Sequence, residues 1–120
     1  MTLKRKMLGR HGEEVAARYL EKNGCKILSR NYRCKLGEID LIAADRGVLV
    51  FVEVRSKSSD QFGLAQESIL RKKQMKLRQV AWCYLKAEGK TGKDCRFDVI
   101  AVRFDRDGLV CRIEHIENAF

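Results

Sequence analysis

Apolar residues recur at helical spacing in two stretches and as short, nearly continuous runs in five others. That order predicts helix, three strands, helix, two strands. The first helix is expected over residues 9–23, with Val15, Ala16, Tyr19 and Leu20 apolar and Gly24 placed to end it in the left-handed conformation. Within it Glu13 falls on the stripe Glu13, Ala16, Leu20 and points toward the core or its boundary. Glu14 lies on the other side, where it can pair with Arg18 four residues on. Strands are expected over 25–33, 38–44 and 48–55, followed by a serine-rich surface loop over 56–68 that holds Asp60, Gln61 and Gly63. Helical spacing returns over 68–88, with Leu70, Leu77, Ala81 and Tyr84 on one stripe. Gln74 sits on that stripe and needs either polar partners or solvent. After a linker at 88–93 come strands over 96–102 and 109–116, joined by the turn Asp105-Arg106-Asp107-Gly108. The 120 residues suit a single domain, with residues 1–8 expected as a flexible basic N-terminus.

The strands carry acids where apolar residues would serve packing better. Gly37-Glu38-Ile39-Asp40-Leu41-Ile42-Ala43 and Val50-Phe51-Val52-Glu53-Val54-Arg55 each enclose a carboxylate that burial penalises unless a cation compensates it. If the turn between them is Arg46-Gly47, or the four residues from Asp45 to Val48, Asp40 stands directly across from Glu53 on the same face. A three-residue turn would put them on opposite faces, and since apolar residues fill both faces, patterning does not choose. Two facing carboxylates repel, and Mg²⁺ or Mn²⁺ would turn that repulsion into coordination. With Arg55 and Lys57 close behind, the pattern suggests a divalent-metal site of the kind that cleaves phosphodiesters. The plainer reading is an edge hairpin whose acids reach water or pair with Arg and Lys. Asp98 is a third acid in an apolar strand, and Arg96, two residues away on the same face, gives it a structural partner.

Charge narrows the class of partner. Lys and Arg exceed Asp and Glu by nine, the footprint of a polyanion binder, with Arg10, Arg71, Lys72, Lys73 and Lys76 as candidate phosphate contacts. No apolar run approaches the roughly twenty residues of a membrane span, and the basic N-terminus lacks a signal-peptide core, so a cytoplasmic location without membrane partners is expected. The five cysteines are scattered without a C-x-x-C pair, which argues against zinc or a disulfide framework and for small buried hydrophobes. His11 and His115 are too few and too far apart to suggest histidine chemistry.

The order of elements, with an acid in the first helix and acids in the second and third strands, resembles the PD-(D/E)xK nuclease superfamily. Gly9-Arg10-His11-Gly12-Glu13, Gly37 to Ala43, Val50 to Arg55, Lys73-Gln74 and Arg96-Phe97-Asp98-Val99 are similar to the successive motifs of the bacterial YraN-type family, related in fold to archaeal Holliday-junction resolvases. The resemblance implies an α/β, restriction-endonuclease-like core of αβββαβ order, a central mixed sheet flanked by helices, with an added C-terminal strand. It implies Asp40, Glu53 and the Val54 carbonyl as ligands of Mg²⁺ or Mn²⁺, with Glu13 supporting the metal. Lysine usually stands two residues after the second acid, where it orients or activates water. Arg55 occupies that place, and Lys57, of the same strand parity, is the candidate substitute.

The function expected is metal-dependent hydrolysis of phosphodiesters, in DNA rather than RNA, with branched DNA suggested by the link to junction resolvases. Catalytic roles fall to Glu13, Asp40, Glu53, Arg55, Lys57 and Gln74. Acting on two strands at a junction would need a homodimer. The rival expectation is a nucleic-acid-binding accessory that keeps the fold and lacks turnover, favoured by Arg55. A third is a structural protein whose basic surface docks an acidic partner.

Overall fold

The computed structural model describes residues 3–58 and 70–120. Helix α1 (Leu3–Lys22) is followed by β1 (Lys26–Cys34), β2 (Gly37–Asp45), β3 (Val48–Ser58), α2 (Arg71–Ala87), β4 (Cys95–Phe104) and β5 (Val110–Ile116). The strands form one mixed sheet in the order β1-β2-β3-β4-β5, with β3 and β4 parallel and every other neighbouring pair antiparallel. This is an α/β fold of αβββαβ order with an added C-terminal strand, consistent with a restriction-endonuclease-like core. The parallel pairing follows from α2, because a crossover helix brings the chain back to start β4 beside the start of β3.

Each face of the sheet is covered by one helix. On one side Ala16, Ala17 and Leu20 of α1 pack on Leu41, Ala43, Val50, Val52, Ile100, Val102 and Phe104. On the other, Leu77, Val80, Ala81, Tyr84 and Leu85 of α2 pack on Ile42, Leu49, Phe51, Phe97 and Val99. Central strands buried on both faces explain why their apolar runs hardly alternate. No helix among the described residues is long and apolar enough to cross a membrane.

Three features differ from the sequence-based expectation. Helix α1 starts at Leu3, so the segment expected as a flexible N-terminus is helical from that residue. Gly9 and Gly12 lie inside the helix without interrupting it, and Gly12 has a packing reason to be there. A Cβ at Gly12 would stand 1.8 Å from Ser56 Oγ and 3.1 Å from Ser56 Cβ, so glycine lets α1 lie close against β3. Gly12→Ala is therefore expected to cost about 1–3 kcal/mol despite alanine's better helix propensity. Part of that loss should return in the Gly12→Ala, Ser56→Gly double variant. Equal urea midpoints for Gly12→Ala and wild type would show that the contact is slack.

The second difference is that β3 runs on to Ser58, placing Lys57 inside the strand. Asp60, Gln61 and Gly63 lie outside the described residues. The third concerns the cysteines, which are not the buried hydrophobes expected. Cys95 and Cys111 are exposed and Cys25, Cys34 and Cys83 are intermediate, all five free. Cys111 lies on β5, an edge strand of the sheet, where the outward positions meet solvent.

Candidate active site

The turn between β2 and β3 decides where the two central acids go. Arg46 and Gly47 both have positive φ, 51° and 84°, which gives a two-residue hairpin turn of the primed kind matching the twist of its strands. Asp45 then pairs with Val48, and the register continues through Leu41 opposite Val52. One step further, Asp40 stands opposite Glu53. Pairing between the two strands ends at that point, although β2 continues beside β1 back to Gly37 and β3 continues beside β4 to Ser58. The strands thus part around the two acids. The Val54 amide, left without a β2 carbonyl, donates to Asp40 Oδ2 at 2.8 Å. In an extended strand a residue's N–H and carbonyl project to the same edge, so the Val54 carbonyl also faces this gap.

Four carboxylates share the gap. Burial pushes the Asp40 carboxyl up to about 7, helped by the negative charge of Glu53 and, farther off, of Glu13 and Glu38, while the Val54 amide opposes the rise. Burial also raises the Glu13 carboxyl, with Glu38 and Glu53 adding to it, against a hydrogen bond from Asn31 and the nearby charge of Arg10. Glu13 reaches the site from α1, whereas Glu14 points away and pairs with Arg18 at 3.0 Å and Arg30 at 2.6 Å. Negative charge from several acids is therefore felt at Asp40 and Glu13, the two carboxyls of the site that are raised.

Some of its members were not singled out from sequence. Counting along the β1–β2 register, Asn31 falls opposite Asp40, and its φ of 52° breaks the regular strand there and lets its amide reach Glu13. Glu38, exposed and paired with Arg33 at 2.6 Å, contributes its charge from two residues before Asp40. Asparagine inside a strand is the one sequence signal that marks such a kink.

Lys73 lies elsewhere than expected for a simple backbone contact. Its Nζ donates to Glu53 Oε1 at 2.8 Å, from the first turn of α2 into the site. Glu53 keeps only 12% of its side-chain exposure in this arrangement. Gln74, the next residue, is half-buried. Arg55 and Lys57 follow Glu53 at two-residue intervals on β3, both half-buried. Arg10, Arg71, Lys72 and Lys76 are exposed, and Lys76 lines an open groove with Arg33, Lys35 and Glu38 at the β1–β2 turn. His11 packs its ring on Phe104, with centroids 5.3 Å apart.

The donor set suits a hard divalent cation. Asp40, Glu53 and the Val54 carbonyl offer only oxygen, the ligand type that hard divalent cations take. Among the described residues no three His, Cys, Asp or Glu side chains converge at chelating distance. A Mg²⁺-like ion, which keeps several waters and needs only one or two carboxylates, fits this set better than zinc.

A second polar cluster occupies the far end of the sheet. Asp98 is fully buried and accepts from Arg96 Nε at 3.1 Å and the Asn118 amide at 2.9 Å, with His115 Nε2 at 2.7 Å. Tyr19 Oη lies 3.2 Å from the other ring nitrogen of His115, and Arg96 reaches Asp45 at 3.0 Å. Burial alone would raise the Asp98 carboxyl, but the bonds from His115, Asn118 and Arg96 outweigh it and hold it below the usual range. Arg96 was expected here from the sequence, whereas His115 and Asn118 were not. Tyr19, Arg96 and His115 help line a polar cavity of about 320 Å³.

Comparison with known proteins follows the same residues. The family model described as "Uncharacterised protein family UPF0102" matches residues 12–102, a span running from Glu13 through Asp98. The chain belongs to this family. UPF0102 is the YraN-type group that the motifs resemble. A UPF0102 protein of Pelotomaculum thermopropionicum is 66% identical over 116 residues, covering 97% of each chain. Those of Desulforamulus reducens and Moorella thermoacetica are 50% and 48% identical, covering 99% and 100% of each chain. Among solved structures, Pyrococcus furiosus SfsA in complex with Ca²⁺ is similar at a TM-score of 0.38 and 15% identity. That match covers 94% of this chain and 63% of the other, a likeness too slight to argue from.

Proposed function

We propose that this UPF0102 protein is a metal-dependent nuclease acting on DNA. The observation that carries the reading is the gap between β2 and β3, where Asp40 and Glu53 face each other and burial, then the charge of Glu53 and more weakly of Glu13 and Glu38, raises the Asp40 carboxyl to about 7. Ionising a buried carboxyl beside a second acid is costly, and perturbed carboxylates of this kind concentrate at functional sites. Asp40, Glu53 and the Val54 carbonyl would hold Mg²⁺ or Mn²⁺. The cation would supply a bound water of lowered pKa and polarise a phosphoryl oxygen.

The chain's own residues do the rest. Arg55 cannot serve as a base, because guanidinium keeps its proton, and instead stabilises negative charge developing on the phosphate. Lys57, on the same strand parity, is the candidate to orient the attacking water. Glu13 and Gln74 position water around the acids. With Glu53 serving as a metal ligand, the Lys73 ammonium would turn to the phosphate, while Arg10, Arg71, Lys72 and Lys76 hold the nucleic-acid backbone.

The same ion pair favours a second reading. Lys73 already neutralises Glu53 at 2.8 Å, as in a binding accessory that keeps the fold and has no turnover. A panel of linear, flapped and four-way DNA incubated with Mg²⁺ or Mn²⁺ separates the two. Cleavage should appear with wild type and fall to the buffer level with Asp40→Asn or Glu53→Gln. Arg55→Ala should lower turnover about 100-fold with affinity nearly unchanged, and Arg55→Lys should keep activity. Wild-type protein that binds Mn²⁺ and DNA yet cuts nothing in the panel would leave the accessory reading in its place.

A further inference from the structure

The first turn of α2 serves the site through Lys73, whereas Met75 and Trp82, on the outward side of the same helix, have no role in it. All seventeen residues of α2 lack a carboxylate, while six are Lys or Arg. Along the solvent side, Met75 and Trp82 stand two turns apart, 56% and 48% exposed. Around them lie Arg71, Lys72, Gln79 and Lys86, all exposed. Lys86 Nζ sits 5.4 Å from the centre of the Trp82 ring, so a cation and an exposed π surface meet at one point.

We propose that this ridge is a binding surface for single-stranded nucleic acid, with Trp82 as the platform on which a base stacks. A nucleotide presents a flat ring and a phosphate together, and Trp82 with Lys86 offers the partner for each within one side-chain contact. Base stacking on aromatic residues contributes about 1–3 kcal/mol per base and tolerates any sequence. Duplex DNA has its ring faces covered by stacking within the helix, so it would meet only the cations here. A membrane surface or an acidic protein would satisfy the charge and leave the indole ring without a matching partner.

The inference rests on the nucleic-acid reading of the site and adds a subsite to it. Trp82 is nine residues beyond Lys73, about 2.5 turns, which puts the two on opposite sides of the helix and roughly 14 Å apart along its axis. The strand stacked on Trp82 is therefore not at the phosphate held by Asp40 and Glu53. The ridge anchors a strand that passes over the outer side of α2. It contributes affinity rather than chemistry.

Trp82 is the chain's single tryptophan, so its own emission reports the contact. The test titrates the full chain with a dT twelve-mer in EDTA, where no cleavage can occur. Saturable quenching of the emission is expected. Trp82→Ala should weaken binding about ten-fold with an unchanged salt slope, and Trp82→Phe should retain most of the affinity. Lys72→Ala or Lys86→Ala should instead reduce the salt slope by about one. Unquenched emission together with unchanged affinity in Trp82→Ala would overturn the proposal. So would equally tight binding of heparin or of phosphatidylserine vesicles, since the ridge would then be a general polyanion surface. The result is distinguishable from the nuclease test: quenching without any metal-dependent cleavage removes the nuclease reading alone, and cleavage without quenching removes the platform alone.

Discussion

Asp40→Asn is expected to make the metal-free protein more stable at pH 8, by about 2–4 kcal/mol. The folded-state Asp40 carboxyl titrates near 7 instead of its ordinary 3.8. Below pH 3.8 folded and unfolded chains both hold the proton and the group contributes no difference. Between 3.8 and 7 the unfolded chain gives up its proton while the folded chain keeps it, so stability declines as pH rises through that window and levels off above 7. The amide variant carries no charge and removes this slope. Thermal melts in EDTA should therefore show the variant well above wild type at pH 8, above it by a smaller margin at pH 5, and level with it only near pH 3.8. Saturating Mn²⁺ should reverse the order at pH 8, since only wild type gains from binding. A variant less stable than wild type at pH 8 in EDTA would mean that Asp40 is compensated within the protein, and the electrostatic case for a cation would fail with it.

The opposite behaviour is expected at Asp98. Its carboxylate collects Arg96, His115 and the Asn118 amide in a fully buried position, and removing one partner of such a cluster leaves the others buried and unpaired. Asp98→Ala should cost about 3–5 kcal/mol and lower the melting temperature by roughly 15 °C. Because Asp98 is held below its ordinary range, its contribution is present above about pH 3.8, the unfolded value, and fades as pH falls through the folded value. Asp98→Asn keeps the shape and one acceptor oxygen, so it should fall between the two. A melt of Asp98→Ala within a few degrees of wild type would show that the network contributes little. The two acids thus differ in what surrounds them: Asp98 has three donors and Asp40 has one amide and three acids.

Much of this arrangement is legible in the residue order because it is local. The Asp40 and Glu53 pair depends on one turn, and Asp-Arg-Gly-Val has a glycine where the second left-handed position must be. Hydrophobic pattern alone does not settle that register, since Leu41, Ile42, Val50, Phe51 and Val52 make both faces apolar. The turn geometry does. What the sequence hides is non-local or irregular. Asn31 disturbs β1 by adopting a left-handed backbone, which alternation patterns do not register. Lys73 meets Glu53 across twenty residues, of which eleven lie outside the described ones, and nothing in the spacing shows which of the basic residues at the start of α2 reaches inward. His115 joins Asp98 only because β5 pairs antiparallel with β4, setting it opposite Ile100. Nor does the sequence show that Gly12 is where α1 lies close against Ser56 of β3.

The parting of β2 from β3 also bears on how the sheet stays soluble and open. Beyond Leu41 and Val52 each strand has lost its partner on one side, so the sheet contains an edge in its interior as well as at its rims. Unpaired strand edges invite zipping, either with each other or with a strand from another chain, and charged residues are the usual guard. Closing the hairpin one step further would press Asp40 against Glu53 at a directly opposed position, where like charges repel most. The acids that make a cation welcome are therefore also the wedge that keeps the slot from closing on itself.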